Sequence, residues 1–115
     1  ADACAQEIST PAALAEALGA SVLLKGAATV VSDGKRTTVS CSGSSGQAKG
    51  GSGDVLSGLI SGLCAQGVSA FDGGRAGAWL AGKAAEFAAE ETGEYSMTAS
   101  DEILYLSDAF FSLKE

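Results

Sequence analysis

Histidine is absent from these 115 residues, proline occurs once, and aromatic side chains make up only 6% of the chain. Without histidine, neither a Ser-His-Asp or Cys-His nucleophile nor a His-rich metal site can be built from this segment. Acid and base work is left to Asp, Glu, Lys, Tyr or Cys. Positive charge is also scarce, with 7 Lys+Arg against 14 Asp+Glu and a formal net charge of −7. Residues 56–115 carry nine acids and three bases, which makes duplex nucleic acid a poor partner. No apolar run approaches the ~20 residues of a membrane span, so no membrane partner is expected. The opening ADACAQEIST lacks the basic start and apolar centre of a secretion signal. The three cysteines, Cys4, Cys41 and Cys64, are widely spaced and form no C-x-x-C pair. Reduced thiols in a soluble, cytoplasmic protein are the expectation, with Cys41 and Cys64 acting as small buried apolar residues.

What remains suffices for one domain: 46% of residues are apolar and 18% are charged, which is no composition of disorder. Thr10-Pro11 followed by AALAEAL and Gly19 predicts a two-turn helix, with threonine at the N-cap, proline in the first turn and glycine at the end. SVLL at 21–24 predicts a buried strand. TVVS and KRTTVSC predict a hairpin closed by a two-residue Asp33-Gly34 turn.

Three helices are expected after residue 54. Val55, Leu56, Leu59, Ile60, Leu63 and Cys64 form a helical stripe, with the small residues Ser57, Gly58, Ser61 and Gly62 on another face open to a close neighbour. Ser69 can cap an alanine-rich helix running to about Glu91, with Phe71, Trp79 and Phe87 as bulky contacts and Gly93 as its stop. Its charges predict surface pairs Arg75 with Asp72 and Lys83 with Glu86, and a solvated face at Glu86, Glu90, Glu91 and Glu94. Thr98 or Ser100 starts the last helix, Thr98 and Asp101 matching a capping box. Ile103, Leu106, Phe110 and Leu113 are its expected core stripe, with Phe110-Phe111 and Trp79 as core or interface contacts.

Residues 42–53, SGSSGQAKGGSG, hold no large apolar side chain and read as a loop ending on the N-terminus of the 55–65 helix. Glycines there let successive N–H groups converge, and the helix adds partial positive charge, so an anion is well accommodated. Asp54 stands beside that anion hole. A carboxyl in the first helical turn can serve as a cap or favour the dipole; the alternative is a general base that takes a hydroxyl proton while the amides hold a phosphoryl group. Lys25 and Lys49 are the nearby candidates for positive charge. The loop is no Walker A motif, since Asp54 and Val55 stand where lysine and Ser/Thr are needed.

The pair of motifs Lys25-Gly26-Ala27-Ala28-Thr29 and Gly50-Gly51-Ser52-Gly53-Asp54-Val55-Leu56-Ser57-Gly58 resembles the ATP/ADP-dependent NAD(P)H-hydrate dehydratases, of ribokinase-like fold. The resemblance implies an α/β chain forming the C-terminal portion of a three-layer sandwich, residues 1–115 being one nucleotide-binding part whose upstream half is absent. It further implies a repair lyase: ATP or ADP, with Mg2+, drives loss of water from hydrated NADH or NADPH, the hydroxyl being phosphorylated before phosphate leaves. In that reading Asp54 is the base and touches the substrate, and the amides of Gly51, Ser52 and Gly53 hold the phosphate. Lys25, Gly26, Ala27, Ala28, Thr29 and Gly53 lie at the nucleotide. The chain departs from the family at Gly43-Ser44-Ser45-Gly46-Gln47, where Asn and Met are common, and at Ala28. One strand and a hairpin are little sheet for four helices, so an upstream segment, a second copy or a homo-oligomer is expected to complete it, and the fragment alone is expected to be inactive. The alternatives are a ribokinase-like kinase acting on a vitamin-precursor alcohol and a non-catalytic nucleotide-binding module.

Overall fold

The structure, a computed structural model, describes residues 10–26, 28–43 and 51–113. In chain order the elements are α1 (Pro11–Leu18), β1 (Val22–Leu24), β2 (Thr29–Ser32), β3 (Thr37–Ser40), α2 (Ser52–Ala65), α3 (Ala70–Thr92), α4 (Ala99–Leu104) and α5 (Leu106–Ser112). Helix α1 is bounded as the sequence predicts: the Ala13 N–H donates to the Thr10 hydroxyl at 3.1 Å, and Gly19 ends the helix in the left-handed region.

The three strands form an antiparallel sheet in the order β1-β2-β3, so the isolated strand and the hairpin join as one meander. Two expectations need correction here. The connection between β2 and β3 runs over residues 33–36, with Gly34-Lys35 and not Asp33-Gly34 at its centre: the Asp33 N–H donates to the Arg36 carbonyl at 3.1 Å. The Asp33 side chain decides this by accepting from the Lys35 and Arg36 N–H groups at 2.9 and 2.7 Å, while Gly34 takes the positive φ of the first central position. Those backbone bonds, aided by the Arg36 guanidinium, pull the Asp33 carboxyl down to about 2. Strand β1 is also not buried, because Leu24 is 55% exposed. Leu24, Val30 and Val39 lie in register across the three strands on one face, and Val39 is 59% exposed. On the opposite face Leu23 and Val31 meet α3.

Helix α3 is the hub, packing against α2, β2, β3, α4 and α5. Its sequence allows this because glycine replaces bulk wherever a neighbour approaches. A Cβ on Gly77 would lie 2.6 Å from Ile60 Cγ1 of α2, and one on Gly74 would lie 3.0 Å from Val31 of β2. Alanines fill the remaining inner positions: Ala84 and Leu80 join Ala109 in one buried cluster, while Ala85, Ala88 and Met97 form another. Phe71 is buried beneath the Arg36 guanidinium, 4.3 Å from its ring centre, and Trp79 and Phe87 are half-buried against the first cluster. The Ser69 cap, the Gly93 stop and the pairs Arg75–Asp72 at 2.8 Å and Lys83–Glu86 at 3.7 Å all match expectation.

The C-terminal region departs most. The capping box of Thr98 and Asp101 is present, but Tyr105 leaves helical geometry and divides the expected helix into α4 and α5. The inward residues are Glu102, Leu106 and Ala109, and small Ala109 is what sits against Leu80 and Ala84. Ile103, Phe110 and Leu113 of the expected core stripe are 57%, 41% and 60% exposed, and Leu104 and Phe111 are exposed beside them. Cys41 is exposed and Cys64 half-buried, so neither is the fully buried thiol expected. Gly58 and Gly62 face open space in place of a close neighbour among the described residues. No described helix is long and apolar enough to cross a membrane.

Candidate functional site

The site is organised by the first turn of α2. Gly51 is its N-cap, with φ +97°, and the Val55 N–H donates to the Gly51 carbonyl at 3.0 Å as the first helical bond. The N–H groups of Gly51, Ser52, Gly53 and Asp54 therefore have no partner within the helix. The helix starts three residues before the Val55 stripe, so Ser52 and Gly53, expected in the loop, belong to the first turn. Gly51 permits this start on two counts. Its φ lies in the region that disfavours side chains, and a Cβ there would sit 2.9 Å from the Ala99 Cβ of α4.

Lys25 leaves the end of β1 and brings its ammonium to this turn. Its Nζ lies 3.4 Å from the point a Cβ on Gly53 would occupy. A cation beside the positive end of a helix is an unfavourable placement unless an anion shares the space. Among the described residues no carboxylate comes within ion-pair distance of Lys25. Together the open amides and Lys25 make a cradle suited to phosphate.

Asp54 is exposed in the same turn, and among the described residues its carboxyl takes part in no hydrogen bond or ion pair. The capping interpretation therefore finds no bond behind it there, and the side chain is available to an incoming group. Gly26 and Ala28 lie in the β1–β2 connection, the Ala28 carbonyl being 3.4 Å from where a Gly26 Cβ would stand, and Thr29 opens β2. Ala27, Lys49 and the loop positions from Ser44 to Gly50 lie outside the described residues, as does Cys4. Among the described residues no three His, Cys, Asp or Glu side chains gather to hold a metal ion, the acidic run of α3 included.

One residue of this region escaped sequence reasoning. Glu102 of α4 is 0% exposed, and its Oε2 accepts a hydrogen bond from the Ser52 hydroxyl at 2.6 Å. The stripe drawn through Ile103 hid it; a helical wheel through Leu106 and Ala109 puts residue 102 on the same inward face.

Comparison with known proteins gives this geometry a lineage. The family model Carb_kinase, described as NAD(P)H-hydrate dehydratase, matches residues 3–107. The bifunctional NAD(P)H-hydrate repair enzyme Nnr of Vibrio cholerae is 40% identical over 95 residues, covering 83% of this chain and 19% of that protein. The ADP-dependent (S)-NAD(P)H-hydrate dehydratase of Neisseria meningitidis serogroup B is 50% identical over 76 residues, covering 65% of this chain and 26% of that protein. The chain thus spans about a fifth to a quarter of the length of these two relatives. In fold it is similar to YxkO of Bacillus subtilis, a member of the UPF0031 family, with a TM-score of 0.83 and 24% identity over 91% of this chain and 40% of that one. The mixed α/β architecture is accordingly that of part of the YxkO fold. With a family match over residues 3–107 and an open, glycine-capped helix N-terminus at its centre, this chain belongs to the NAD(P)H-hydrate dehydratase family.

Proposed function

We propose that the protein containing this chain dehydrates hydrated NADH or NADPH at the expense of ADP or ATP, and that this chain contributes the phosphate cradle and the base. The observation that carries the reading is the Lys25 ammonium beside Gly53 in the open first turn of α2, with the exposed Asp54 in that same turn. The nucleotide supplies the phosphoryl group that converts the hydrate's hydroxyl into a leaving group. Asp54 accepts the hydroxyl proton as that oxygen is phosphorylated. The N–H groups of Gly51, Ser52 and Gly53 hold the migrating phosphoryl oxygens, and Lys25 offsets their charge. Gly26, Ala27, Ala28 and Thr29 border the nucleotide. Magnesium would accompany its phosphates, held largely by phosphate and water, and would offset their charge.

The remainder of the substrate pocket belongs to an upstream segment of the domain or to a second copy of the chain. The open row Leu24, Val30 and Val39 and the exposed apolar side of α4 and α5 are where such a segment has surface to bury. The test is recovery of reduced-nicotinamide absorbance from hydrated NADH with Mg-ADP or Mg-ATP, using the chain joined to the upstream part of its domain. Nucleotide-dependent recovery that falls about 10²–10⁴-fold in Asp54→Asn, with nucleotide binding retained, is the expected result. Unchanged turnover in Asp54→Asn sinks the role of Asp54. Accumulation of a phosphorylated product without reduced nicotinamide moves the activity to phosphotransfer onto a small alcohol.

A further inference from the structure

Glu102 is a buried acid that the proposed chemistry does not use. It lies where α4 meets the start of α2, at a position where an apolar side chain would satisfy packing at less desolvation cost. Its Oε2 is directed at Ser52, whose own exposure is 5%. The segment this bond holds is Gly51-Ser52-Gly53. Glycine on both sides leaves the backbone with little intrinsic stiffness, and the Ser52 hydroxyl is the only functional group on any side chain of the three. A cradle of backbone amides works only if those amides are held in place before the charge arrives.

We propose that Glu102 is a positioning residue for the phosphate cradle: through the Ser52 hydroxyl it fixes the first turn of α2, so that the amides of residues 51–53 stay aimed at the anion. The Gly51–Ala99 approach seats the same turn against α4 one residue earlier, so α4 acts as the back wall of the cradle. The assignment rests on the phosphate-binding role proposed above for this turn.

Four variants of the full-length protein test it: Ser52→Ala, Glu102→Leu, Glu102→Gln and the double variant Ser52→Ala with Glu102→Leu. Two quantities are measured: hydrogen exchange of the Val55 amide, whose bond to Gly51 closes the first turn, and the dissociation constant for ADP. Loss of the bond is expected to speed Val55 exchange and weaken ADP about tenfold in Ser52→Ala and in Glu102→Leu. The double variant should be no worse than Glu102→Leu alone, because Ser52→Ala then removes a bond already lost. Glu102→Gln, whose side-chain carbonyl can still accept the hydroxyl, should stay within about twofold of the parent. Protection of α3 amides serves as the check that the fold is intact, and Ser52→Ala, the smallest change, carries the test if Glu102→Leu does not fold. Unchanged Val55 exchange in Ser52→Ala, or effects of the two substitutions that simply add, overturns the proposal. If the parent protein binds no ADP, the exchange measurements still decide the positioning role, and the failure falls on the functional reading alone.

Discussion

Gly82 gives the sharpest test of how α3 is seated. A Cβ at this position would lie 2.7 Å from both the backbone carbon and the carbonyl oxygen of Ser42, and closer still to its hydroxyl oxygen. These are mostly backbone atoms of the segment leaving β3, and the Ser42 hydroxyl is further tied by its 3.2 Å bond to the Trp79 carbonyl. Relief by rotating one flexible side chain is therefore not open to Gly82→Ala. Overpacking of this kind costs about 1–3 kcal/mol, and backbone obstruction puts the site at the upper end. Better helix propensity returns about 1 kcal/mol. The net expectation is destabilisation by about 2 kcal/mol, or a fall in Tm of roughly 8 °C or more for a domain of this size. Gly58→Ala in α2 is the control: an added Cβ there meets nothing within 4 Å, so the propensity gain of about 1 kcal/mol should emerge undiminished. Urea unfolding followed by far-ultraviolet circular dichroism measures both. The two substitutions should differ by about 3 kcal/mol with opposite signs. A Gly82→Ala variant as stable as its parent would refute the close packing of α3 on Ser42.

Two further outcomes follow from charge. Lys25→Ala should weaken ADP binding by roughly 10–100-fold, the range for loss of a charge-assisted hydrogen bond, while leaving the unfolding midpoint nearly unchanged because the ammonium is exposed; calorimetric titration showing unaltered affinity would remove Lys25 from the cradle. The Asp33 carboxyl should titrate near 2, and since its folded value lies below the ordinary 3.8, its stabilising effect is present above about pH 4 and lost as pH falls towards 2. The stability difference between the parent and Asp33→Asn should therefore shrink across that window, and a difference that stays constant from pH 6 to pH 2.5 contradicts the turn geometry.

Elements whose signals are local were legible in the sequence. Thr10, Pro11 and Gly19 bound α1, Ser69 and Gly93 bound α3, and Thr98 with Asp101 caps α4, because each boundary is set by hydrogen bonds or backbone preferences within a few residues. The glycine-rich helix start was legible for the same reason, and the family resemblance drawn from the motifs agrees with the family match over residues 3–107. Where alternatives compete over short distances, local reading failed: Asp33 bonding shifted the turn centre to Gly34-Lys35.

Tertiary structure alone decided the rest. Whether Ile103 or Glu102 faces inward depends on which side of α4 meets α2 and α3, and a wheel of mixed residues does not say. The contact of Gly82 with Ser42 joins residues forty apart, and the bond from Ser52 to Glu102 spans fifty. The Lys25 ammonium reaches Gly53 only because α2 starts beside the end of β1. Sequence determined which backbone segments could form and that a glycine-capped helix start was among them, since those properties are local. The placement of a cation in front of that start and a buried carboxyl behind it came from packing, which depends on residues far apart in the chain.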